Sequence, residues 1–245
     1  MERRRLPVAR LVVVISNTVR LLRGAANALE ARGARRLFRN APVEIESAYD
    51  FVAGFNYGSI QTGPRQIREE MVELLERLAV MRPHTVLELG TFRGGTLFLF
   101  TRVAAAGATL VTVDMDAGQF GGAYPRTWAP LFRSFAREKQ KIHLVRGNSH
   151  SPSTRARVLS LLDQPVDFLF IDGDHTYEGV RADFEMYSPL VRSGGLIAFH
   201  DIVEGSSELV GGVPTFWREV SQGLDSEEIV ADRAQGGYGI GLLRK

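Results

Sequence analysis

The chain has 245 residues, of which 44% are hydrophobic and 24% charged, and it contains no cysteine. This composition is typical of a globular protein, and it excludes a disulfide scaffold, a thiolate nucleophile and metal sites built on thiolates. Residues 1–40 hold ten Arg and two Glu, whereas the remaining residues hold twenty basic and twenty-six acidic side chains. A basic arm therefore precedes an acidic body, and an acidic body disfavours nucleic acid as a partner.

The first 45 residues are interpreted as a basic helical arm. Their apolar run Leu11–Ile15 is flanked by Arg10, Asn17 and Arg20, so it is too short for the roughly 20 apolar residues of a membrane-spanning helix. No clear small-residue cleavage site follows it, and we therefore expect a cytoplasmic protein. The arm has two candidate roles, which the sequence leaves open. It packs on the domain or a second subunit, or it docks on an anionic membrane or acidic partner.

Helical and strand patterns alternate from residue 65 onward. Apolar residues at three- and four-residue intervals predict a helix over 65–81, which Pro83 ends. Further helices are predicted over 94–105, 129–140, 153–162, 177–192 and 214–220. Strands are predicted over 85–90, 109–114, 142–147, 166–172, 196–201, 227–231 and 238–245.

This alternation predicts βαβ units around a parallel sheet that is buried on both faces. The last two predicted strands have no helix between them, so we expect an antiparallel hairpin at the sheet edge. The predicted fold class is α/β, a Rossmann-like doubly wound sheet of seven strands, mostly parallel with an antiparallel C-terminal edge hairpin.

Polar residues follow the predicted parallel strands where each strand ends. In a doubly wound sheet, ligands bind at the carboxyl ends of the strands, so these residues are expected to converge on one site. They are Glu88, Gly90 and Gly94 at the first strand, Asp114 at the second, Asn148, Ser149 and His150 at the third, Asp172, Asp174 and His175 at the fourth, and His200 and Asp201 at the fifth.

The loop after the first strand separates two classes of cofactor. A dinucleotide fingerprint requires Gly-x-Gly-x-x-Gly, but Phe92 occupies its second glycine position, and the loop has no Lys for a phosphate-binding P-loop. Asp114, at the end of the second strand, suits a ribose diol. The loop therefore favours a nucleoside with a cationic group and no phosphates over NAD.

The stretches VLELGTFRGGT, VTVD and IDGDHTYEGVRADFEMYSPLVRSGGLIAFHD resemble class I S-adenosylmethionine-dependent methyltransferases. The branch that they resemble most contains macrocin-type and rhamnosyl O-methyltransferases and cephalosporin-hydroxylase-like proteins. The resemblance covers residues 55–245, and we assign residues 46–245 to the methyltransferase domain. It implies that S-adenosylmethionine lies along the first three strand ends. Glu88, Gly90 and Gly94 would surround its methionine and ribose portion, Asp114 would bind the ribose, and Asn148 and Ser149 would flank the adenine.

The same resemblance implies a divalent cation, Mg²⁺ or Mn²⁺, held by Asp172, His200 and Asp201. It places His175 as the general base, so Asp172 and His175 are the predicted catalytic pair. Metal-dependent relatives carry an acid or amide at the position of His200. An imidazole beside two carboxylates also suits Fe²⁺ or Co²⁺, which leaves the identity of the metal open.

The expected function is O-methylation of a small hydroxylated molecule, such as a sugar of a natural product or glycolipid. Two alternatives remain open, namely a metal-dependent oxygenase-like enzyme and a non-catalytic nucleoside-binding scaffold. An RNA methyltransferase is less favoured because the body is acidic. Phe120 and Tyr124 lie in a Gly-rich segment that forms either a lid or an ordinary packed loop, and homo-oligomerisation is left open.

Overall fold

The computed structural model describes residues 24–115 and 124–245. Residues 1–23 of the predicted arm and Phe120 of the predicted lid lie outside the described residues. Residues 24–38 form helix α1. Next come helix α2 (Ile45–Gly54), a hairpin of β1 (Asn56–Tyr57) and β2 (Ile60–Gln61), and helix α3 (Arg68–Met81).

Within the described residues, seven strands form one sheet in the order β5-β4-β3-β6-β7-β9-β8. They are β3 (Thr85–Leu89), β4 (Thr109–Asp114), β5 (Lys141–Arg146), β6 (Val166–Ile171), β7 (Val191–His200), β8 (Ser226–Ile229) and β9 (Ile240–Arg244). Strands β3 to β7 pair in parallel, whereas β9 runs antiparallel to β7 and β8. The predicted fold class is confirmed, including the antiparallel hairpin at the edge.

Helices cover both faces of the sheet and bury its apolar strands. They are α4 (Gly95–Val103), α5 (Ala129–Arg133), α6 (Pro152–Leu159), α7 (Tyr177–Tyr187) and α8 (Val213–Val220), with short 3₁₀ turns at Arg126–Trp128 and Ser188–Leu190. Successive residues of β3 point to opposite faces of the sheet. Val86 packs in the apolar cluster that includes α3 and α4, whereas Leu87 and Leu89 pack in the cluster that includes α7 and α8. Within the described part of the chain, no helix is both long enough and apolar enough to span a bilayer.

The described part of the basic arm packs on the domain. Phe38, at the end of α1, is buried, and its ring centroid lies 4.6 to 5.2 Å from those of Phe51, Phe55, Phe98 and Phe135. Residues 24–38 therefore share the main hydrophobic core.

Two predicted helices are shorter than their sequence patterns indicate. The helix predicted over 129–140 ends at Arg133, and Glu138 and Lys139 adopt left-handed φ values of 46° and 67°. The Gln140 side chain accepts the Arg137 N–H and donates to carbonyls at the end of α4, so the segment folds as a turn. The helix predicted over 177–192 ends at Tyr187 and gives way to a 3₁₀ turn. Pro189, which has no backbone N–H, lies in that turn.

Candidate active site

A cavity of about 730 Å³ lies at the carboxyl ends of β3 to β7. Its walls are the loops that follow these strands, together with residues 63–66, 208–209 and 237–238. The loops that follow the five parallel strands therefore enclose one continuous space. The following predicted residues line it: Gly90, Asp114, Ser149, Asp172, His175, His200 and Asp201.

The glycines of the first loop are required by its geometry. Gly90 has φ +102°, and a Cβ at this position would lie 1.9 Å from the Asp172 carbonyl oxygen. Gly94 has φ +78° at the start of α4, and a Cβ there would lie 2.9 Å from the Phe132 ring. Gly95 packs equally closely, with the Thr62 carbonyl oxygen 2.3 Å from its hypothetical Cβ. Gly90 and Gly95 therefore let the loop lie directly against the backbone of Asp172 and of Thr62.

Asp114 is buried at the end of β4 and lines the cavity. Its Oδ2 accepts the backbone N–H of Phe92 at 2.8 Å. Phe92 has φ +44°, a strained value for an aromatic residue, and the carboxylate helps to hold it there. Asp114 thus fixes the glycine loop from the neighbouring strand, in the position expected of a ribose-binding acid.

Glu88 lies behind the wall of the cavity, where it is 1% exposed. Its Oε2 accepts the hydroxyl of Thr112 at 2.6 Å, and its Oε1 accepts that of Thr96. Burial raises the pKa of this carboxyl to about 8, against the opposing effect of the two threonine hydroxyls. Since Thr96 itself lines the cavity, Glu88 supports the wall from behind, and its direct contact with a cofactor stays a prediction.

The turn after β5 places Ser149 in the cavity wall, whereas Asn148 makes a contact within the turn. The Asn148 Oδ1 accepts the His150 N–H at 2.8 Å, and Asn148 does not line the cavity among the described residues. The Tyr187 hydroxyl donates to the Ser149 carbonyl at 2.8 Å and anchors the turn to α7. The predicted adenine-flanking role of Asn148 and Ser149 stays a prediction.

Two aspartates and two histidines meet at the ends of β6 and β7. Asp172 Oδ1 lies 3.2 Å from His200 Nδ1 and 3.4 Å from His175 Nε2. Asp201 Oδ2 lies 3.2 Å from His200 Nδ1 and 3.4 Å from His175 Nδ1. The four side chains form the Asp–His cluster, and each is at least four-fifths buried.

In this cluster, attraction between opposite charges outweighs the effect of burial on the pKa values of Asp172, His175 and His200. Burial by itself disfavours every charged form, but Asp172 and Asp201 raise the pKa of His200 well above its ordinary value. Burial also opposes ionisation of Asp172, yet the charge of His200 and hydrogen bonding to His175 hold its pKa below the usual range. The pKa of His175 is raised despite burial, mainly by Asp172. Asp172 is therefore ionised at neutral pH.

The donor atoms of the cluster fit a divalent cation. One atom each from Asp172, His175 and Asp201 lies within 4.8 Å of the others. Both ring nitrogens of His200 are buried without a hydrogen-bond partner among the described residues, although Nδ1 lies 3.2 Å from both carboxylates. Two ligands that each lie about 2.1 Å from one ion, at right angles, are about 3 Å apart. The unpartnered His200 Nδ1 and the two carboxylates have this spacing.

Three contacts of the cluster come from segments to which the sequence assigned no role. Gln66, before α3, donates from Nε2 to Asp172 Oδ2 at 2.7 Å. The Leu209 carbonyl lies 2.7 Å from His175 Nδ1, and the Tyr238 N–H donates to Asp201 Oδ1 at 3.1 Å. The main chains of Leu209 and Tyr238 make two of these contacts, and backbone groups carry no residue-type signal. Gln66 stands in no recognisable motif.

Asp174, another of the predicted strand-end residues, lines the cavity and also makes a local contact. Its Oδ1 accepts the Thr176 N–H at 2.9 Å, just before α7 begins.

Among the described residues of the Gly-rich segment, Tyr124 is buried and packs on Phe132 with ring centroids 4.6 Å apart. This contact matches the packed-loop interpretation for Tyr124.

Residues 87–202 match the model of a family described as a methyltransferase domain. Among curated proteins, the chain is 30% identical over 128 residues to the uncharacterized protein R132 of Acanthamoeba polyphaga mimivirus, covering 48% of this chain and 51% of that protein. It is 31% identical over 146 residues to the uncharacterized protein y4gI of Sinorhizobium fredii, covering 58% of this chain and 15% of that protein. The chain thus spans about half the length of the first relative and a smaller part of the second.

Solved structures share the fold at low sequence identity. An O-methyltransferase from Bacillus cereus, solved in complex with SAH, is 18% identical, with a TM-score of 0.55 over 90% of this chain and 91% of that one. The cofactor-bound Rv0187 from MTB is 20% identical, with a TM-score of 0.54 over 81% of this chain and 87% of that one. These neighbours show that the chain shares their fold, and residues 87–202 within that fold match the methyltransferase-domain model.

Proposed function

We propose that the chain is an S-adenosylmethionine-dependent O-methyltransferase that acts on a hydroxyl of a small molecule with the help of a divalent cation. One observation carries the proposal. The glycine loop with Asp114 and the Asp–His cluster open into the same cavity. A nucleoside-type cofactor and an acceptor hydroxyl can therefore be held side by side.

The cofactor half of the cavity suits a nucleoside without phosphates. Gly90 lets the first loop pack against the Asp172 backbone at the edge of the cavity, and the Asp114 carboxylate, which lines the cavity, suits a ribose diol. The relative from Bacillus cereus was solved with SAH, and the shared fold is consistent with the same class of ligand here. We assign the cofactor site to Gly90, Gly94, Asp114 and Ser149, with Glu88 and Asn148 supporting it.

The cation half would be built by Asp172, Asp201 and His200. When bound, a divalent cation lowers the pKa of an oxygen ligand and so favours loss of the acceptor's hydroxyl proton. The two carboxylates supply the negative charge that such an ion requires, and His200 Nδ1, which would release its proton as the ion enters, supplies a third donor. Mg²⁺ and Mn²⁺ are the ions we propose, since carboxylate oxygens suit both, and the imidazole nitrogen favours Mn²⁺ of the two.

His175 is placed to receive the acceptor's proton. If its Nδ1–H donates to the Leu209 carbonyl, its Nε2, which lies 3.4 Å from Asp172 Oδ1, is the nitrogen that would take up the proton. Asp172, held in turn by Gln66, would orient the ring and stabilise its protonated form. Transfer of a methyl group from a bound sulfonium to the acceptor oxygen would break the C–S bond as the C–O bond forms, and holding the two reactants in line for it can contribute about 7–11 kcal/mol.

Calorimetry with S-adenosylhomocysteine tests the cofactor and the cation without knowledge of the acceptor. We expect wild-type binding in the absence of metal, and a heat of Mn²⁺ or Mg²⁺ binding that is lost in Asp172→Asn. The variant Asp114→Asn should bind the nucleoside at least about tenfold more weakly. The matched control is Asp163→Asn, which removes one carboxylate whose side chain is 73% exposed and distant from the cavity lining. Absence of nucleoside binding by the folded wild-type chain would refute the proposal.

The oxygenase-like alternative shares the Asp–His cluster, because two histidines and carboxylates also bind Fe²⁺ in oxygenases. Transfer of a labelled methyl group from S-adenosylmethionine to a hydroxylated acceptor would separate the two functions. A chain that binds the nucleoside but no cation, and transfers no methyl group, would instead be the non-catalytic scaffold.

The partner in this proposal is a small hydroxylated acceptor, for example a sugar of a natural product or glycolipid, and the location is cytoplasmic. Contact of the basic arm with a membrane is a separate proposal, which the exposed side chains of helix α1 support.

A further inference from the structure

Helix α1 has a buried face and an exposed face of unusual composition. The buried face carries Ala31, Ala34 and Phe38, which contact the core. On the opposite face, Leu29 is 70% exposed and Leu37 is 47% exposed. Arg32 and Arg36 in α1 and Arg39 in the turn that follows it are also exposed, and with the two leucines they form the basic–apolar face.

The charge of this basic–apolar face is not compensated by the protein. Among the described residues, the side chains of Arg32, Arg36 and Arg39 have no ion pair and no hydrogen bond. The acid present in α1, Glu30, is turned toward the hairpin, where it accepts the Ser59 N–H at 2.9 Å and the Ser59 hydroxyl at 2.5 Å. The face therefore presents three cations beside two solvent-exposed leucines.

We propose that this face docks on an anionic phospholipid bilayer. Arginines are attracted to anionic headgroups, and exposed leucines gain by entering the boundary between headgroups and acyl chains. The sequence before α1 has the same character, since residues 1–23 contain six Arg, one Glu and the apolar run Leu11–Ile15. Nucleic acid would attract the arginines but would leave the exposed leucines without a partner. It would also be repelled by residues 41–245, which hold six more acidic than basic side chains.

The docked face is joined directly to a wall of the cavity. Glu30 binds Ser59 in the turn of the β1–β2 hairpin, and Gly33 lies against Tyr57, whose hydroxyl would be 2.2 Å from a Cβ at that position. The hairpin leads into residues 63–66, which line the cavity. Docking of α1 would therefore bring this wall of the cavity to the bilayer.

Co-sedimentation of the full chain with vesicles tests the proposal. We expect binding to phosphatidylcholine vesicles containing about one-third phosphatidylglycerol, little binding to pure phosphatidylcholine, and weaker binding as salt rises well above about 0.1 M. Each arginine near an anionic surface strengthens partitioning about fivefold, so the triple variant R32Q/R36Q/R39Q should partition about 100-fold more weakly.

The matched control is R82Q/R133Q/R157Q, which removes the same charge from exposed arginines elsewhere. A second variant, L29S/L37S, keeps the charge and removes the exposed leucines, and we expect it to weaken binding to the anionic vesicles as well. Nucleoside binding should be unchanged in all three variants, because none of these residues lines the cavity.

Three results would overturn the proposal. The first is equal binding to neutral and anionic vesicles, and the second is an equal loss in the two triple variants, which would reflect net charge alone. The third is failure to bind the anionic vesicles, and a self-association that R32Q/R36Q/R39Q abolishes would then show that the face binds a second copy of the chain.

Discussion

The buried carboxyl of Glu88 should make the stability of the protein fall as pH rises. Its pKa is raised from 4.5 to about 8 in the folded chain, mainly by burial. Between these two values the folded protein holds a proton that the unfolded chain has released, so raising the pH favours unfolding. Above about pH 8 both forms are ionised, and the full cost of burying the charge, about 5 kcal/mol, is present.

The expected change is large enough to measure. From about pH 5.5 to about pH 8.5, this one group should lower the free energy of unfolding by about 3 kcal/mol. Replacement by Gln removes the titration and keeps both threonine contacts, because an amide can accept from Thr96 and donate to Thr112. Glu88→Gln should therefore be close to wild type at the lower pH and more stable than wild type at the higher pH.

Urea unfolding at several pH values, without cofactor or metal, measures this difference directly. Glu76→Gln is the matched control, since Glu76 is exposed on α3 and its replacement changes the net charge by the same amount. If Glu88→Gln and wild type showed parallel pH profiles, Glu88 would not be a neutral buried acid at pH 7, and the explanation of its raised pKa would be wrong.

Three further substitutions test the site and the loops around it. Gly90→Ala should destabilise the fold by at least about 2 kcal/mol and abolish nucleoside binding, because its Cβ would meet the Asp172 carbonyl; thermal unfolding and calorimetry measure both effects. His175→Asn should retain nucleoside binding but lose methyl transfer by at least about 100-fold, and full turnover would exclude His175 as the base. Glu70 is buried and accepts the N–H groups of Ala231 and Gly239 at 3.0 and 2.9 Å, so Glu70→Gln should cost about 1–3 kcal/mol and speed proteolysis of residues 231–239. Unchanged proteolysis would show that another contact holds that loop.

The strands of the seven-stranded sheet could be predicted because burial leaves a local trace in the sequence. VDFLFI is apolar on both faces, as a central parallel strand requires, and Gly90 marks the tight turn that follows β3. The hairpin of β8 and β9 was predictable from the short interval between two strand patterns. Helix ends were less accurate, since contacts that are distant in sequence set them. The Gln140 amide reaches the end of α4, and no local pattern reports such a contact.

The difference between local and distant contacts also explains which of the predicted site residues line the cavity and which do not. Asp114, Asp172 and Asp201 stand at strand ends, and topology alone brings strand ends together. Whether a strand-end side chain faces the cavity or the interior depends on packing that the residue type does not reveal. Glu88 is a strand residue and faces the interior, where two threonines satisfy it. Gln66 reaches Asp172 across 106 positions of sequence, so only the folded chain shows that it belongs to the site.

The contact between Gly90 and Asp172 joins the two halves of the site. Strands β3 and β6 are neighbours although they are distant in sequence, and it is between them that the strand order reverses. The Asp172 N–H donates to the Leu89 carbonyl at 2.9 Å, and its own carbonyl lies against Gly90. A ligand that moves the glycine loop must therefore move the backbone of Asp172, and with it one wall of the Asp–His cluster. Because linkage is reciprocal, a cation bound at that cluster should also change the affinity for the nucleoside.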